Sequence, residues 1–368
     1  MAIDYSEYLR LEALIGLQGG ADGDEKQLAR DELLFITVHQ IDELWFKLVL
    51  SELEKVRDVF ARDIVNEGDL APAARGLRRC TTAFELAAAH FALMETMSPR
   101  DFLDFRAKLA PASGFQSPQF REVEYLLGLD DATRLRLNPQ QGVLDAFEPK
   151  AGIVGFAQKK LAARRAAGPT LKSALEKWLA RTPIDGSAAG SAGDDARVAA
   201  FLDAYLAAHA REVDAALELS RAGGIGDAQV AALHEAEKRD AEQFLRDGSD
   251  VRADLLRRRL RAAALFIESY RDLPLLAWPR EVLDLVIALE QAFLVFRQRH
   301  ARMVERMIGR RVGTGGSDGV HYLDQTALKY RIFDELWRVR RLLVKKDAVP
   351  PLARADFYGF IAAPRDRR

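Results

Sequence analysis

The chain has 368 residues, of which 49% are hydrophobic and 30% charged, a composition typical of a water-soluble protein with a large core. Its 54 basic and 55 acidic residues nearly cancel, so neither nucleic acid nor an anionic membrane surface is expected as a partner. The single cysteine, Cys80, excludes an intrachain disulfide and a cysteine-based metal site, and it predicts a reducing, cytoplasmic location. No apolar stretch approaches the roughly 20 residues that span a bilayer, and a signal-peptide pattern is absent, so we expect neither export nor a membrane span.

Apolar residues recur at helical spacing along the whole chain, whereas the alternating pattern of strands is almost absent. The sequence therefore predicts an all-α fold, a multi-helix bundle with long core helices. Two short helices are expected behind the serine–proline pairs at 98–99 and 117–118, where serine caps a helix that proline begins. Further helices are predicted over residues 27–63, 71–97, 195–222, 226–246, 250–272, 280–309 and 323–345.

The domain organisation follows from the small and glycine-rich stretch at about 183–197, which predicts a flexible surface loop rather than a domain boundary. We therefore expect one domain over residues 1–368. An N-terminal arm is predicted over residues 1–25 and a C-terminal tail over about 346–368.

The helix predicted over 280–309 places a histidine, His300, on its apolar stripe. That stripe consists of Val282, Val286, Leu289, Phe293, Phe296, His300, Met303 and Met307. A buried imidazole needs a partner. One interpretation, which the stripe alone favours, is a core histidine bound to a backbone carbonyl or a carboxylate. The other is a ligand to a buried apolar cofactor such as haem. The spacing leaves both open.

His39 is a second candidate, because it lies beside the predicted buried stripe of the first long helix, close to Phe35. That stripe was expected to contain Leu34, Val38, Ile41, Trp45, Leu48 and Glu52. A partly buried structural histidine and a residue that lines a cavity are both compatible with this position. The sequence has neither an HExxH zinc motif nor a G-x-S-x-G nucleophile motif.

Arg106 is flanked by Phe102 and Phe105, an arrangement that suits bidentate carboxylate binding, although a surface arginine is the commoner explanation. The segment RRVGTGGSDGVHYL lacks the G-K-[ST] ending of a nucleotide loop. Its glycines permit either close approach to a ligand beside Thr314 or ordinary helix termination.

Four blocks in order resemble the tryptophan 2,3-dioxygenase family: YSEYLRLEALIGLQ, DELLFITVHQIDELWFKLVLSEL, SPRDFLDFRAKLAPASGFQSPQFREVEYLLG and FRQRHARMVERMIGRRVGTGGSDGVHYL. They cover most of residues 5–130 and 293–323. The resemblance implies an all-α haem-binding bundle and haem b as cofactor. His300 would be the axial iron ligand, with Gly313, Thr314 and Gly315 beside the cofactor.

The resemblance also implies a substrate site. His39, the catalytic residue, would accept a hydrogen bond from the indole N–H, Arg106 would bind the substrate carboxylate, and Thr314 would help to hold the ammonium group. Further substrate contacts are expected from two phenylalanines and from the arm of a neighbouring subunit: Phe35, Phe102, Tyr5, Tyr8 and Leu9. Asp318, where the family usually has serine, and Phe102 and Phe120, where some members have tyrosine, leave the exact substrate open.

The implied function is cleavage of the indole C2–C3 bond of L-tryptophan with O2, giving N-formylkynurenine in the kynurenine pathway of tryptophan catabolism. The implied assembly is a cytoplasmic homotetramer that exchanges its N-terminal arms. One alternative is a mono-oxygenase or dioxygenase of the same superfamily that acts on a modified tryptophan or another aromatic amino acid in biosynthesis. Another alternative is a non-catalytic haem sensor.

Overall fold

The structure, a computed structural model, describes residues 3–109, 114–138, 141–142, 155–224, 227–246, 252–311, 313 and 319–359. The helices within these residues are α1 Tyr5–Leu9, α2 Leu11–Ile15, α3 Glu32–Ala61, α4 Glu67–Met94, α5 Pro99–Leu109, α6 Pro118–Leu127, α7 Phe156–Ala166, α8 Leu171–Leu179, α9 Asp194–Ala222, α10 Ala228–Arg246, α11 Arg252–Ser269, α12 Ala277–Ile308, α13 Gly319–Lys329 and α14 Asp334–Arg340. None of these helices combines the length and apolar character needed to cross a bilayer.

The predicted all-α class is confirmed. The strands described are β1 (Arg136–Asn138) and β2 (Gln141–Gly142), which pair antiparallel with Arg136 opposite Gly142. Two such short strands form a local hairpin rather than a layer of the fold.

Most predicted helices have the observed bounds within a few residues, but the single helix expected over 323–345 is wrong. The chain instead forms α13 and α14, and it leaves helical geometry between them. The buried carboxylate of Glu290 accepts a hydrogen bond from the backbone N–H of Ile332 there. A tertiary acceptor thus replaces the intrahelical carbonyl, a contact that local periodicity cannot reveal.

The flexibility predicted for the glycine-rich segment at about 183–197 stays a prediction, but the segment makes several side-chain hydrogen bonds. The Asp194 carboxylate accepts hydrogen bonds from the Ser187 hydroxyl at 2.9 Å and from the Gly190 N–H at 3.1 Å. Arg259 pairs with the same carboxylate at 2.9 Å. The buried Tyr358, in the predicted tail, donates its hydroxyl proton to the Pro183 carbonyl. These contacts link the segment to one buried acid and to one residue of the predicted tail.

The chain divides into two compact units. Unit 1 comprises Met1–Val56, Arg75–Leu171 and Ala288–Ile332, and unit 2 comprises Arg57–Ala74, Lys172–Ile287 and Phe333–Arg368. Four of the five boundaries fall inside α3, α4, α8 and α12, and the fifth falls between α13 and α14. The single domain expected from the sequence stays a prediction. Within unit 2, α9 packs against α10, and α11 packs against α9, α10 and α14.

The core of unit 1 is an aromatic cluster contributed by α3, α4, α6 and α12. Its ring centroids lie 4.8 Å apart for Phe84 and Phe293, and 5.3 Å apart for Phe46 and Phe120. The stripe predicted for α12 is buried as expected, apart from His300, which faces a cavity. The stripe predicted for α3 is displaced around the helix. Val38 and Glu52 of the predicted stripe are buried, but Leu48 is 39% exposed, and the buried face also carries Asp42, Phe46, Val49, Leu53 and Val56.

Candidate active site

Unit 1 contains a cavity of about 520 Å³, within the range of roughly 300–1,000 Å³ that is usual for small-molecule and cofactor sites. Helices α3, α5 and α12 contribute most of its lining, and most of that lining is apolar. Six residues predicted from the sequence line it together: Phe35, His39, Phe102, Arg106, His300 and Gly313. The structure thus brings residues from remote parts of the chain to one place.

A second cavity of about 100 Å³ shares His39 and His300 with the first. Its lining is more mixed, because Asp42, Arg121 and Arg297 join a set of aromatic rings. The two histidines therefore line both a large apolar space and a smaller space that carries charged residues on a mostly apolar wall.

The His39 ring is oriented by its own helix. Its Nδ1 lies 2.7 Å from the Phe35 carbonyl oxygen, and its ring centroid lies 4.1 Å from that of Phe35. Burial lowers the pKa of His39 and outweighs the Phe35 hydrogen bond and the Glu43 charge, which act in the opposite direction. A neutral imidazole whose Nδ1–H donates to a carbonyl leaves Nε2 as a hydrogen-bond acceptor. His39 is thus arranged to accept a hydrogen bond at Nε2 from an N–H or O–H group of a ligand.

His300 is held between aromatic rings. It stacks on Phe91 of α4 with centroids 5.4 Å apart and an interplanar angle of 17°, and Phe296 lies at 6.4 Å. Burial lowers its pKa to about 4, and the nearby His39, Arg297 and Arg121 act in the same direction. A neutral imidazole is the form that binds a metal.

The alternative of a satisfied core histidine requires a carbonyl or carboxylate partner for His300. No hydrogen bond joins its ring to the residues that the structure describes. The ring instead lines both cavities, where a ligand can approach it. The described surroundings of His300 therefore favour the ligand interpretation.

Helix α5 presents Phe102 and Arg106 to the large cavity one helical turn apart. Phe35 lies 6.0 Å from Phe102 and 5.6 Å from Phe105, and the last two rings meet edge to face at 5.3 Å. These three rings form an aromatic wall beside the half-buried Arg106. Such a wall strengthens the interaction of a guanidinium group with an anion because it excludes water.

A buried ion cluster next to the small cavity was not predicted from the sequence. Glu124 of α6 is fully buried and pairs with Arg121, Arg134 and Arg297. Burial by itself would raise the pKa of Glu124, but the three guanidinium groups outweigh it and lower the pKa to about 2. The three-residue spacing of Arg121 and Glu124 was visible in the sequence. Arg134 and Arg297 are remote in sequence and could not be assigned.

Two acids one helical turn after His39 were also missed. The Glu43 carboxylate accepts a hydrogen bond from the Gln119 amide at 2.8 Å, and the same amide donates to the Glu43 carbonyl. Asp42 is only 7% exposed, and burial, with a smaller contribution from the Glu43 charge, raises its pKa to about 7. The i+3 and i+4 spacing from His39 was the signal that could have identified both.

Known proteins similar to the chain share one description. The family model of tryptophan 2,3-dioxygenase matches residues 1–343. The tryptophan 2,3-dioxygenase of Sorangium cellulosum (strain So ce56) is 50% identical over 365 residues, covering 97% of this chain and 87% of that protein. Tryptophan 2,3-dioxygenase 2 of Ralstonia nicotianae is 49% identical, covering 97% of this chain and 98% of that protein. The chain belongs to the tryptophan 2,3-dioxygenase family.

Another relative in this family, a tryptophan 2,3-dioxygenase-like protein of Xanthomonas campestris pv. campestris, is 50% identical over 271 residues. This match covers 72% of the present chain and 98% of that protein. The resemblance inferred from the four sequence blocks is thus confirmed for the tryptophan 2,3-dioxygenase family.

Some residues that the tryptophan 2,3-dioxygenase resemblance assigned to the site or its loop are either undescribed or lie away from the cavity. Thr314, Gly315 and Asp318 lie outside the described residues. Tyr5 and Tyr8 are 74% and 77% exposed on α1, and Leu9 is 42% exposed. Within the described part of one chain, these three side chains do not line the large cavity.

Proposed function

We propose that the protein is a haem-dependent tryptophan 2,3-dioxygenase that opens the indole C2–C3 bond of L-tryptophan with O2. The product would be N-formylkynurenine, which places the reaction in tryptophan catabolism by the kynurenine pathway, in the cytoplasm. The observation that carries this proposal is that His300, His39 and Arg106 line one cavity. Family membership supports the same reaction.

The residues present fit haem b. His300 would bind the haem iron, and Gly313 lines the same cavity, with Thr314 and Gly315 proposed as further contacts. The apolar lining from Met94, Met303 and Met307 suits the faces of a macrocycle. When bound, haem would supply a ferrous iron that binds and activates O2. The protein supplies the orientation and the exclusion of water.

Substrate binding would use both ends of the amino acid. Arg106 would bind the carboxylate in a bidentate manner, and Thr314 is proposed to contact the ammonium group. His39 would accept the indole N–H at Nε2, because its Nδ1 is committed to the Phe35 carbonyl. With Phe35 and Phe102 beside the indole ring, these contacts would hold C2–C3 in one orientation, which is the main contribution of positioning to the rate.

The proposed assembly is a homotetramer in which the arm of one subunit covers the cavity of a neighbour. Its support is the exposure of Tyr5, Tyr8 and Leu9 on α1, an unusual apolar surface for a terminal segment. In the proposed tetramer these side chains would exclude water from the indole site.

Product analysis with ¹⁸O2 tests the proposal and separates it from both alternatives. The purified haem protein with L-tryptophan should give N-formylkynurenine that contains two labelled oxygen atoms. One labelled oxygen in a product whose ring is intact would identify a mono-oxygenase. Haem binding without consumption of any indole would identify a sensor.

The matched variant for this test is His300→Ala, which should lose the haem absorption band and the activity together. A purified variant with the haem content and spectrum of the unmodified protein would refute His300 as the iron ligand. Modified tryptophans tested beside L-tryptophan identify the substrate, since the favoured one has the highest kcat/KM.

A further inference from the structure

Asp42 is a buried acid of α3 that none of the proposed steps uses. Its side chain lines the small cavity, and only 7% of the residue's surface is exposed. Its Oδ1 lies 3.6 Å from His90 Nδ1 of α4, which is beyond good hydrogen-bond distance. Both atoms are buried and make no hydrogen bond with the described residues. A carboxyl group in this situation requires a further partner.

The small cavity can provide that partner as water. Its volume of about 100 Å³ exceeds the roughly 10–15 Å³ that one water needs, and a buried water requires two to four polar contacts. Asp42 and His300 both line this space. Ordered water in this space would therefore have both side chains on its walls.

His300 has a complementary need. An iron ligand uses one ring nitrogen, and the other ring nitrogen of a metal-bound histidine almost always donates its N–H to a carboxylate, a carbonyl or water. The stack on Phe91 at 17° limits the tilt of the ring but not its rotation within the stacking plane. A hydrogen bond at the second nitrogen would restrict that rotation.

We propose that Asp42 is a positioning residue for His300, accepting through ordered water the N–H of the ring nitrogen that does not bind iron. The inference rests on the proposed function, because it requires haem on His300. Its consequence is a more strongly donating imidazole and a fixed ring plane. Asp42 itself touches neither the iron nor the substrate.

The test measures the vibration of the bond between the ferrous iron and His300 by resonance Raman spectroscopy on the haem-loaded protein. Asp42→Leu should lower its frequency, because an imidazole without a hydrogen-bonded N–H is a weaker donor. The frequency of Asp42→Asn should lie between those of the unmodified protein and Asp42→Leu, since a neutral amide oxygen is a weaker acceptor than a carboxylate. Transfer of haem to an excess of a haem-binding apoprotein should be about 10-fold faster for Asp42→Leu, at the low end of effects of such outer partners.

Asp58→Asn is the matched control, because it alters an exposed acid on the same helix. The inference is overturned if both Asp42 variants keep the unmodified frequency and haem-transfer rate, or if the control shifts as much as Asp42→Leu. Should Asp42→Leu not fold, Asp42→Asn decides alone: a shift at unchanged far-UV circular dichroism supports the inference, and no shift refutes it. Absence of any iron–histidine vibration in the unmodified protein would refute the proposed function as well, so the two failures are distinguishable.

Discussion

At the scale of single residues, Arg106 is the group that distinguishes an amino-acid substrate from other indoles. Arg106 lies on α5 and lines the cavity beside a cluster of phenylalanine rings. We expect Arg106→Leu to raise the KM for L-tryptophan by about 30-fold or more, since removal of one partner of a buried charged pair costs about 2–5 kcal/mol. Steady-state kinetics measure this, and the haem content should not change.

Two comparisons control this prediction. Tryptamine lacks the carboxylate, so the unmodified protein and Arg106→Leu should have the same low kcat/KM with it. Arg100→Leu changes an exposed arginine of the same helix and should leave the kinetics with L-tryptophan intact. Equal KM values for L-tryptophan in Arg106→Leu and the unmodified protein would remove Arg106 from the site.

His39 leads to a prediction about the indole nitrogen. Its Nδ1 is 2.7 Å from the Phe35 carbonyl, which leaves Nε2 for the indole N–H. The unmodified protein should prefer L-tryptophan to its N1-methyl derivative, and His39→Ala should reduce that preference by about 10-fold, the value of one hydrogen bond of about 1.4 kcal/mol. The ratio of kcat/KM for the two substrates measures it. An unchanged ratio would mean that His39 does not contact the indole N–H.

At the scale of secondary structure, α6 combines local signals with a remote ion cluster. The Ser117 hydroxyl accepts the Phe120 N–H at 3.1 Å, Pro118 begins the helix, and Gly128 ends it with φ 110°. These features follow from the sequence. The burial of Glu124 among three arginines does not, and it makes the stability of the helix and its neighbours dependent on pH.

The pKa of Glu124 is lowered from 4.5 to about 2 in the folded chain. A carboxyl with a lowered pKa stabilises the fold above its unfolded pKa, and that contribution is lost as the pH falls from about 4.5 to 2. We expect a loss of about 3 kcal/mol in the free energy of unfolding over this window from Glu124. Glu124→Gln should lack this pH-dependent part of the free energy of unfolding. It should also be about 3–5 kcal/mol less stable at pH 7, because three buried guanidinium groups lose their anion.

Urea unfolding of the haem-free protein at several pH values between 2 and 7 measures both effects. Glu85→Gln, at an exposed position of α4, is the control and should follow the unmodified protein. A Glu124→Gln protein with the same acid dependence as the unmodified chain would show that the ion cluster does not set it.

At the scale of the whole molecule, the N-terminal arm connects one chain to the proposed assembly. The Gln18 amide donates to Gln40 at 2.6 Å, and the Gln40 amide donates to the Leu17 carbonyl at 2.9 Å. Gln40 also lines the large cavity, so the end of the arm is attached beside the site of its own chain. The exposed side chains precede this attachment, which limits any exchange between subunits to residues before about Leu17.

If the proposed homotetramer forms, light scattering should give four times the chain mass. Removal of residues 1–12 should strongly reduce activity, because the indole site loses its cover. Mixing this shortened chain with an intact Arg106→Leu chain should restore part of the activity, since the intact arm completes the site of the shortened subunit. Full activity of a monomeric shortened chain would contradict the exchanged arm.

The sequence by itself determined the features that depend on near neighbours. Helical spacing predicted the all-α class and put His300 on the buried stripe of α12, and the serine–proline pairs located the starts of α5 and α6. The motif blocks identified the family. The apolar face of a helix and its ends follow from spacings of three or four residues, since residues so close in sequence share one helical turn.

Only the tertiary structure decided which faces meet. Phe91 of α4 stacks on His300, Arg297 reaches Glu124, and Glu290 interrupts the chain after α13. The orientation of α3 about its axis also differs from the predicted stripe, since Asp42 is buried and Leu48 is exposed. A helix exposes several apolar rows of similar strength, and the packing of partners remote in sequence selects one row. The chemistry of the site was therefore visible in its residues, whereas its geometry required the fold.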